Sequence, residues 1–341
     1  MADDNAEHFY RYASKMEDGI DKYFTISEES KDFNRLSETF DNVIPYYSIK
    51  QRLLYIFADK IVSSQVDDEN VNPFFGKHIQ LYAGIANADK IFLQHGVIKD
   101  DMSNWLRKYD KNVQLLVTTA DIEAESFKKY EYHYRDGIVQ VLGLPRYDNL
   151  ENNSKSKQIL IMPSWRRNLI HLENEQIAKS QYFLRFNSLI NNERLIELAK
   201  SKGYKIIFKP HPNTFRFIEL FEENDYVTID SESKYQDLFN NSSLMITDYS
   251  SLAFDFAYIK KPLLYYQYGN DYHFGDQFFD YETMGFGEVI KDEDKLIDEI
   301  EEYLDKDCEM KDIYRERANK FYRYNDKNNC KRVYEAILKI K

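Results

Sequence analysis

The chain has 341 residues, 43% of them hydrophobic and 30% charged, with a net charge of -12 and a mean hydropathy of -0.65. That length exceeds what one core ordinarily holds and predicts two domains. The acidic balance argues against general binding to nucleic acid or to an anionic bilayer, both of which draw on a basic surface. No run approaches the ~20 apolar residues of a membrane span, and the acidic, polar start from Met1 to Tyr12 does not read as a signal peptide. It opens directly on structured sequence, so the chain is expected to be a domain pair from a longer protein. Cys308 and Cys330 show neither metal-ligand nor redox spacing and read as incidental cysteines of a reduced, cytosolic chain.

Short apolar runs alternate with longer amphipathic stretches, a pattern that predicts βαβ units and parallel sheets. Strands are expected at Lys22–Ile26, Lys60–Ser63, Lys90–Leu93, Leu115–Thr118 and Ile138–Val141. The polar segment Tyr147–Lys157 lacks an apolar stripe and reads as a linker, placing an N-terminal domain at residues 1–148 and a C-terminal domain at 149–341. A second series of strands is expected at Gln158–Met162, Lys205–Phe208, Tyr226–Ile229, Leu244–Ile246 and Pro262–Tyr266, with helices at Leu189–Ser201 and Leu252–Ile259. From Asp292 onward the pattern is charged and helical, with Leu296, Ile297, Ile300 and Leu304 on one face. This stretch would cover the second sheet, and its last helix could cross back to the first domain.

Four of these strands run into clusters of phosphate-competent residues. They are Gln94-His95-Gly96, Ser164-Trp165-Arg166-Arg167, Lys209-Pro210-His211-Pro212-Asn213 and Thr247-Asp248-Tyr249-Ser250-Ser251. Ligands of open α/β sheets bind outside the carboxyl ends of strands, so clusters from both halves predict one cleft between two domains. At Thr247–Ser251 a helix start offers N–H groups and hydroxyls to an anionic oxygen; ordinary capping by Asp248 or Ser250 is the alternative. Two prolines stiffen the loop at His211, and Lys209 supplies charge for a breaking pyrophosphate; a rigid surface loop is the alternative. Of the adjacent arginines, one can fork onto phosphate while the other makes a structural ion pair, and Arg166 is assigned to the ligand. Trp165 packs under the loop or against a base. Gly96 allows a sharp turn beside His95, whose imidazole can take a proton from an attacking hydroxyl; a hydrogen-bonded core histidine is the alternative. Asp100 and Asp101 read first as helix caps, and Val66–Asn70 as a solvated loop. No GxGxxG, Walker A, HExxH or GxSxG motif is present.

Taken in order, the segments Phe92–Met102, Gly143–Asn149, Ile159–Arg166, Ile207–Asn213, Met245–Ala257, Lys260–Tyr266 and Phe279–Tyr281 resemble the CDP-glycerol glycerophosphotransferases of teichoic acid and capsule synthesis. The resemblance implies a GT-B-like α/β fold, with two Rossmann-like domains facing a central cleft and the nucleotide held mainly by the second. It implies catalytic roles for His95 and His211, and donor contacts for Arg166, Thr247, Asp248, Ser250 and Ser251; Gly96, Ser164, Lys209 and Asn213, which stand in the same loops, are assigned to the substrate site with them. The substrates implied are a CDP-polyol donor and a glycan or polyol-phosphate acceptor, lipid-linked or free. Polymerases of the family often carry a threonine where Val97 follows Gly96, a difference that bears on acceptor contacts. No metal ligands are assigned, and a Mg2+ requirement is left open. A nucleotide-sugar transferase on the same scaffold and a non-catalytic donor-binding domain are the alternative readings.

Overall fold

In the computed structural model, which describes residues 2–74, 76, 84–153, 156–269 and 276–340, the apolar runs form short parallel strands. Among the described residues these are β1 (Phe24–Ile26), β2 (Val43–Pro45), β3 (Lys60–Ser63), β4 (Asp89–Phe92), β5 (Val113–Thr118), β6 (Val139–Val141), β7 (Gln158–Ile161), β8 (Lys205–Phe208), β9 (Val227–Ile229), β10 (Leu244–Thr247), β11 (Leu263–Tyr266) and β12 (Val289–Ile290). The chain divides into two compact units, Met1–Asn149 with Phe321–Lys341, and Leu150–Lys320.

In the first unit β3, β4, β5 and β6 lie side by side in chain order, all parallel. The run at 22–26 does not join them. It shortens to β1 and pairs with β2 in a separate two-stranded sheet. β2 has only three residues and ends in Pro45, too short to show a period in the sequence. The stretch Val66–Asn70 is not merely solvated. Asp68–Val71 forms a helical turn, Asp67 accepts from Trp105 Nε1 (3.0 Å), and Asp68 pairs with Lys90 (2.7 Å).

The second unit carries six parallel strands in the order β12-β11-β10-β7-β8-β9. Numbered within the unit, this is 3-2-1-4-5-6 read from β9, the order of a doubly wound dinucleotide-type sheet. β7 is central, registered Ile159↔Leu244 on one side and Ile159↔Ile206 on the other. Both faces are apolar: Ile159, Ile161, Ile206, Phe208 and Ile246 are fully buried on one face among Phe186, Leu189, Leu195, Leu296 and Ile300, and Leu160, Met245, Leu263 and Tyr265 are fully buried on the other, as strands covered on both sides require. The helix expected over Leu189–Ser201 is two helices, Gln181–Ile190 and Glu193–Lys202. The break falls at Asn192, whose side chain caps the Leu195 N–H, a role that asparagine fills better than a helix interior.

The charged C-terminal stretch forms the helices Glu293–Asp305, Asp312–Phe321 and Asn329–Leu338. The first covers the second sheet through Leu296, Ile297 and Ile300. The last belongs with the first unit, so the second unit ends at Lys320 rather than at residue 341. Asp148 holds it there by accepting from the Asn329 and Cys330 N–H groups, each at 2.8 Å. Gly143 has φ 82°, and a Cβ on it would come within 1.9 Å of Asn329 Oδ1, so the helix seats where only glycine leaves room.

Candidate active site

In the second sheet the order of winding reverses between the parallel strands β7 and β10, from which the chain proceeds outward to either edge. A crevice opens outside the carboxyl ends of strands at such a point. Ser164 and Arg166 follow β7; Asp248 ends β10's run. Their side chains interlock. Asp248 is fully buried and accepts from the Ser164 N–H (2.7 Å), Ser164 Oγ (2.8 Å), Arg166 Nη1 (2.9 Å) and the Tyr249 N–H (2.6 Å). Arg166, 3% exposed, also donates to Tyr268 Oη at 3.2 Å. Its guanidinium lies 5.5 Å from the ring centres of Tyr182 and Tyr249 and 6.0 Å from that of Tyr268. Burial and the Asp248 charge push the Tyr182 hydroxyl far above its ordinary range, so that ring stays neutral beside the cation.

This corrects the assignment of the two arginines. Arg166 makes the structural ion pair, and Arg167 is the exposed one. Thr247 is likewise committed inward: it is fully buried, and its hydroxyl donates to Met162 O at 2.7 Å. Ser250 follows the capping alternative, since its Oγ accepts from Leu252 N–H at 3.2 Å. The helix behind it, Leu252–Tyr258, has seven residues, and its first N–H is thereby taken. Ser250 and Ser251 are half-buried.

Lys209 continues the line of β8, with its N–H bonded to Ile161 O at 2.9 Å. Its side chain turns toward the end of β9 and is 1% exposed. There Nζ donates to Asp230 Oδ1 and Ser233 O, both at 3.0 Å. Lys209 is therefore a brace for this loop rather than a cation set beside His211. Burial pushes the Asp230 carboxyl up, but bonds from Ser233 and Lys209 outweigh it and hold it below the ordinary range. Next in the chain the Pro-His-Pro sequence presents His211, half-buried and stacked on Trp165, with centroids 5.9 Å apart and planes inclined at 28°. Trp165 thus packs on the loop. The Asn213 N–H donates to His211 Nδ1 at 3.2 Å. A nitrogen that accepts carries no proton, so the neutral ring bears its hydrogen on Nε2 and is a donor there. Asn213 is exposed and makes this contact through its backbone.

In the first unit, His95 follows β4 on a turn whose left-handed residue is Gln94 (φ 63°) rather than Gly96. The strain of a non-glycine residue there is held by surrounding bonds. Gln94 Nε2 donates to Val117 O (2.6 Å) and Glu123 Oε1 (3.0 Å), and Asn5 Nδ2 donates to Gln94 O (2.8 Å). Glu123 is fully buried and also accepts from the Ile98 and Thr119 N–H groups; burial pushes its carboxyl up against those bonds. His95 itself is 69% exposed, unlike a core histidine. Its Nδ1 lies 2.7 Å from Asp4 Oδ2. A carboxylate only accepts, so this Nδ1 carries the proton and Nε2 is the basic nitrogen. Asp101 caps the turn at Ser103 (2.8 Å), while Asp100 pairs with Lys99 (2.9 Å).

The sequence reading missed Asp4 and Arg146, whose Nη1 donates to Asp4 Oδ1 (2.8 Å) and His95 O (2.7 Å). The one available signal was an acidic residue just ahead of a helix, Asn5–Ala13, which predicts only a cap. It also missed Tyr182 and Tyr268 beside Arg166, which lie outside the four clusters, and gave Tyr249 within its cluster no role. Among the described residues no group of three or more His, Cys, Asp or Glu side chains could hold a metal ion, and no helix is long and apolar enough to cross a membrane.

A doubly wound parallel sheet in one unit and a four-stranded parallel α/β sheet in the other are the architecture of a GT-B-like protein. Within that class the chain belongs to the CDP-glycerol:poly(glycerophosphate) glycerophosphotransferase family, whose model matches residues 1–339. It is 46% identical over 349 aligned positions to the minor teichoic acid biosynthesis protein GgaB of Bacillus subtilis (strain 168), covering 99% of this chain and 39% of that protein. A teichoic acid glycerol-phosphate transferase of Staphylococcus aureus (strain NCTC 8325 / PS 47) is 27% identical over 222 positions, covering 63% of this chain and 51% of its own length. The chain thus spans about two fifths to one half of these relatives. The wall teichoic acid polymerase TagF, in a variant soaked with CDPG, superposes with a TM-score of 0.70 at 16% identity, covering 98% of this chain and 84% of that one; at that identity the likeness speaks for the fold.

Proposed function

We propose that the chain transfers a polyol-phosphate from a CDP-activated donor to a hydroxyl of a glycan or polyol-phosphate acceptor, releasing CMP, in teichoic acid or capsule synthesis. The observation that carries the reading is the pair of histidines with opposite proton placement. His95 is held with a basic Nε2, and His211 with a donating Nε2–H. In-line transfer needs one of each. The acceptor oxygen forms a bond to the donor's β-phosphorus, its proton passes to His95 Nε2, and the P–O bond to CMP breaks with the electron pair leaving on CMP. His211 donates to the phosphate oxygens on which charge accumulates. Such a transition state requires positioning and electrostatic support more than covalent help. The Ser164–Arg166–Asp248 network shapes the end of β7 and β10 against which a diphosphate would lie, with Lys209, Asn213, Thr247, Ser250 and Ser251 forming or bracing the turns of that unit, while Gly96 lies in the turn that carries His95. Family membership and the CDPG-soaked TagF support the choice of donor.

On this reading the enzyme works in the cytoplasm at the inner face of the membrane, on a lipid-linked acceptor, as one part of a longer protein of the GgaB kind. The test is incubation of the chain with CDP-glycerol or CDP-ribitol, with and without candidate acceptors, in Mg2+ or EDTA, following nucleotide release. Acceptor-dependent CMP is the expected product. Release of a nucleoside diphosphate from a nucleotide-sugar, or donor binding with no turnover on any acceptor, overturns the proposal.

A further inference from the structure

We propose that Asp4 is a positioning residue for His95, fixing the tautomer and the direction of the imidazole; the inference rests on the reading of His95 as the base that takes the acceptor's proton. Three segments meet at this point. Asp4 stands in extended conformation (φ -136°, ψ 178°) ahead of the helix Asn5–Ala13. Its Oδ1 accepts from the Asn5 N–H (2.7 Å) and from Arg146 Nη1 (2.8 Å), which leaves Oδ2 to His95 Nδ1 at 2.7 Å. Arg146 Nη1 reaches the His95 carbonyl as well, at 2.7 Å. Asn5 closes the arrangement: Nδ2 donates to Gln94 O (2.8 Å) and Oδ1 accepts from the Arg146 N–H (3.1 Å). The carboxylate is thus held on one oxygen so that the other can aim at the ring.

An imidazole 69% exposed has little packing to fix its rotamer, whereas its acid partner is only 19% exposed. A short bond from a partly buried carboxylate therefore decides how the ring stands. It also decides its chemistry, because the carboxylate selects the Nδ1–H form and stabilises the imidazolium made when Nε2 takes a proton, the logic of an acid–histidine pair. Asp4 is suited to this at neutral pH. Burial pushes its carboxyl up, but the bond from His95 and the Arg146 charge outweigh burial and keep it below the ordinary range. Other charges near the pair are already engaged: Glu7 by Arg11 and Arg35, and His8 by Asn149, with Asp3 3.8 Å away.

The test uses the full chain with 15N-labelled histidine, the His95 resonance being assigned by its loss in His95→Gln. In the wild type, long-range 1H–15N spectra are expected to show the Nδ1–H tautomer. In Asp4→Asn and in Asp4→Ser the His95 pKa is expected to fall by about one unit or more and the Nε2–H form to appear. Serine keeps the helix cap, so a role confined to capping would leave tautomer and pKa unmoved in Asp4→Ser; that result overturns the proposal. In the transfer assay both variants should lose kcat on the order of 10²–10⁴-fold with donor KM unchanged; wild-type kcat in Asp4→Ser also overturns it. Because the spectra need no substrate, a chain that shows the expected tautomer shift yet releases no CMP would refute the transferase reading while leaving the Asp4–His95 pairing intact.

Discussion

Removing the Asp248 carboxylate gives the sharpest measure of how the second unit is held together. Four donors converge on it, and it shares a buried ion pair with Arg166, the two side chains being 0% and 3% exposed. In Asp248→Ala the guanidinium stays buried without its counter-charge, and breaking such a pair from one side costs about 3–5 kcal/mol. The Ser164 N–H and hydroxyl lose their acceptor in the same step, but those losses overlap with the first and do not add to it in full. A total of about 4 kcal/mol lowers the melting temperature of a unit this size by roughly 8–16 °C. Asp248→Asn keeps an acceptor for Ser164 and removes only the charge, so its loss should be about half as large, in line with a charge-assisted bond of about 1.5–3 kcal/mol. Arg166→Met on top of Asp248→Ala removes the stranded cation and should recover part of the loss, because the desolvation of that cation no longer has to be offset. Urea and thermal unfolding of the wild type and these variants, with Arg166→Met alone added, supply the double-mutant cycle. An Asp248→Ala loss below about 1 kcal/mol, or a double variant no better than the single one, would refute the claim that a buried, mutually satisfied pair holds the ends of β7 and β10.

His95→Ala should abolish turnover by on the order of 10²–10⁴-fold while calorimetric donor binding is retained, whereas His211→Ala should weaken donor binding and lower the rate by on the order of 10²–10³-fold; the reverse pattern would exchange their roles. Burial pushes the Glu7 carboxyl up, but Arg35 and Arg11 outweigh it and bring it from 4.5 down to about 2. A depressed carboxyl stabilises the fold above its unfolded value and loses that contribution as pH falls through the folded one. The stability gap between the wild type and Glu7→Gln, read by urea unfolding, should therefore be full above 4.5 and shrink toward pH 2; a gap independent of pH would contradict the Arg35–Glu7–Arg11 arrangement. Gly143→Ala forces a Cβ to within 1.9 Å of Asn329 Oδ1 at φ 82° and should destabilise the first unit by about 1–3 kcal/mol, seen as faster hydrogen exchange in the helix Asn329–Leu338.

Much of the fold is legible locally. Ile159-Leu160-Ile161 and Leu244-Met245-Ile246 are apolar runs bounded by polar loops, and both are strands within a residue of where the runs stop. The Pro-His-Pro sequence alone announces a stiff loop that presents His211. The sequence is less informative where elements are very short, as for β2 and β12, or where one asparagine divides a helical pattern, as at Asn192.

What the sequence determined by itself were the properties set within a few residues: strands, caps, the loops after the strands, and the joint appearance of the family's segments. What only the tertiary structure decided was which polar group meets which. Arg166 and Arg167 are chemically the same, and the choice of Arg166 for burial was made by Asp248, 82 positions away. The proton on His95 was placed by Asp4, 91 positions earlier, and Lys209 was drawn from the ligand side by Asp230 at the end of β9. Backbone propensity acts over one turn or one strand, whereas ionisation, tautomer and side-chain direction depend on neighbours that the order of strands in a sheet brings together.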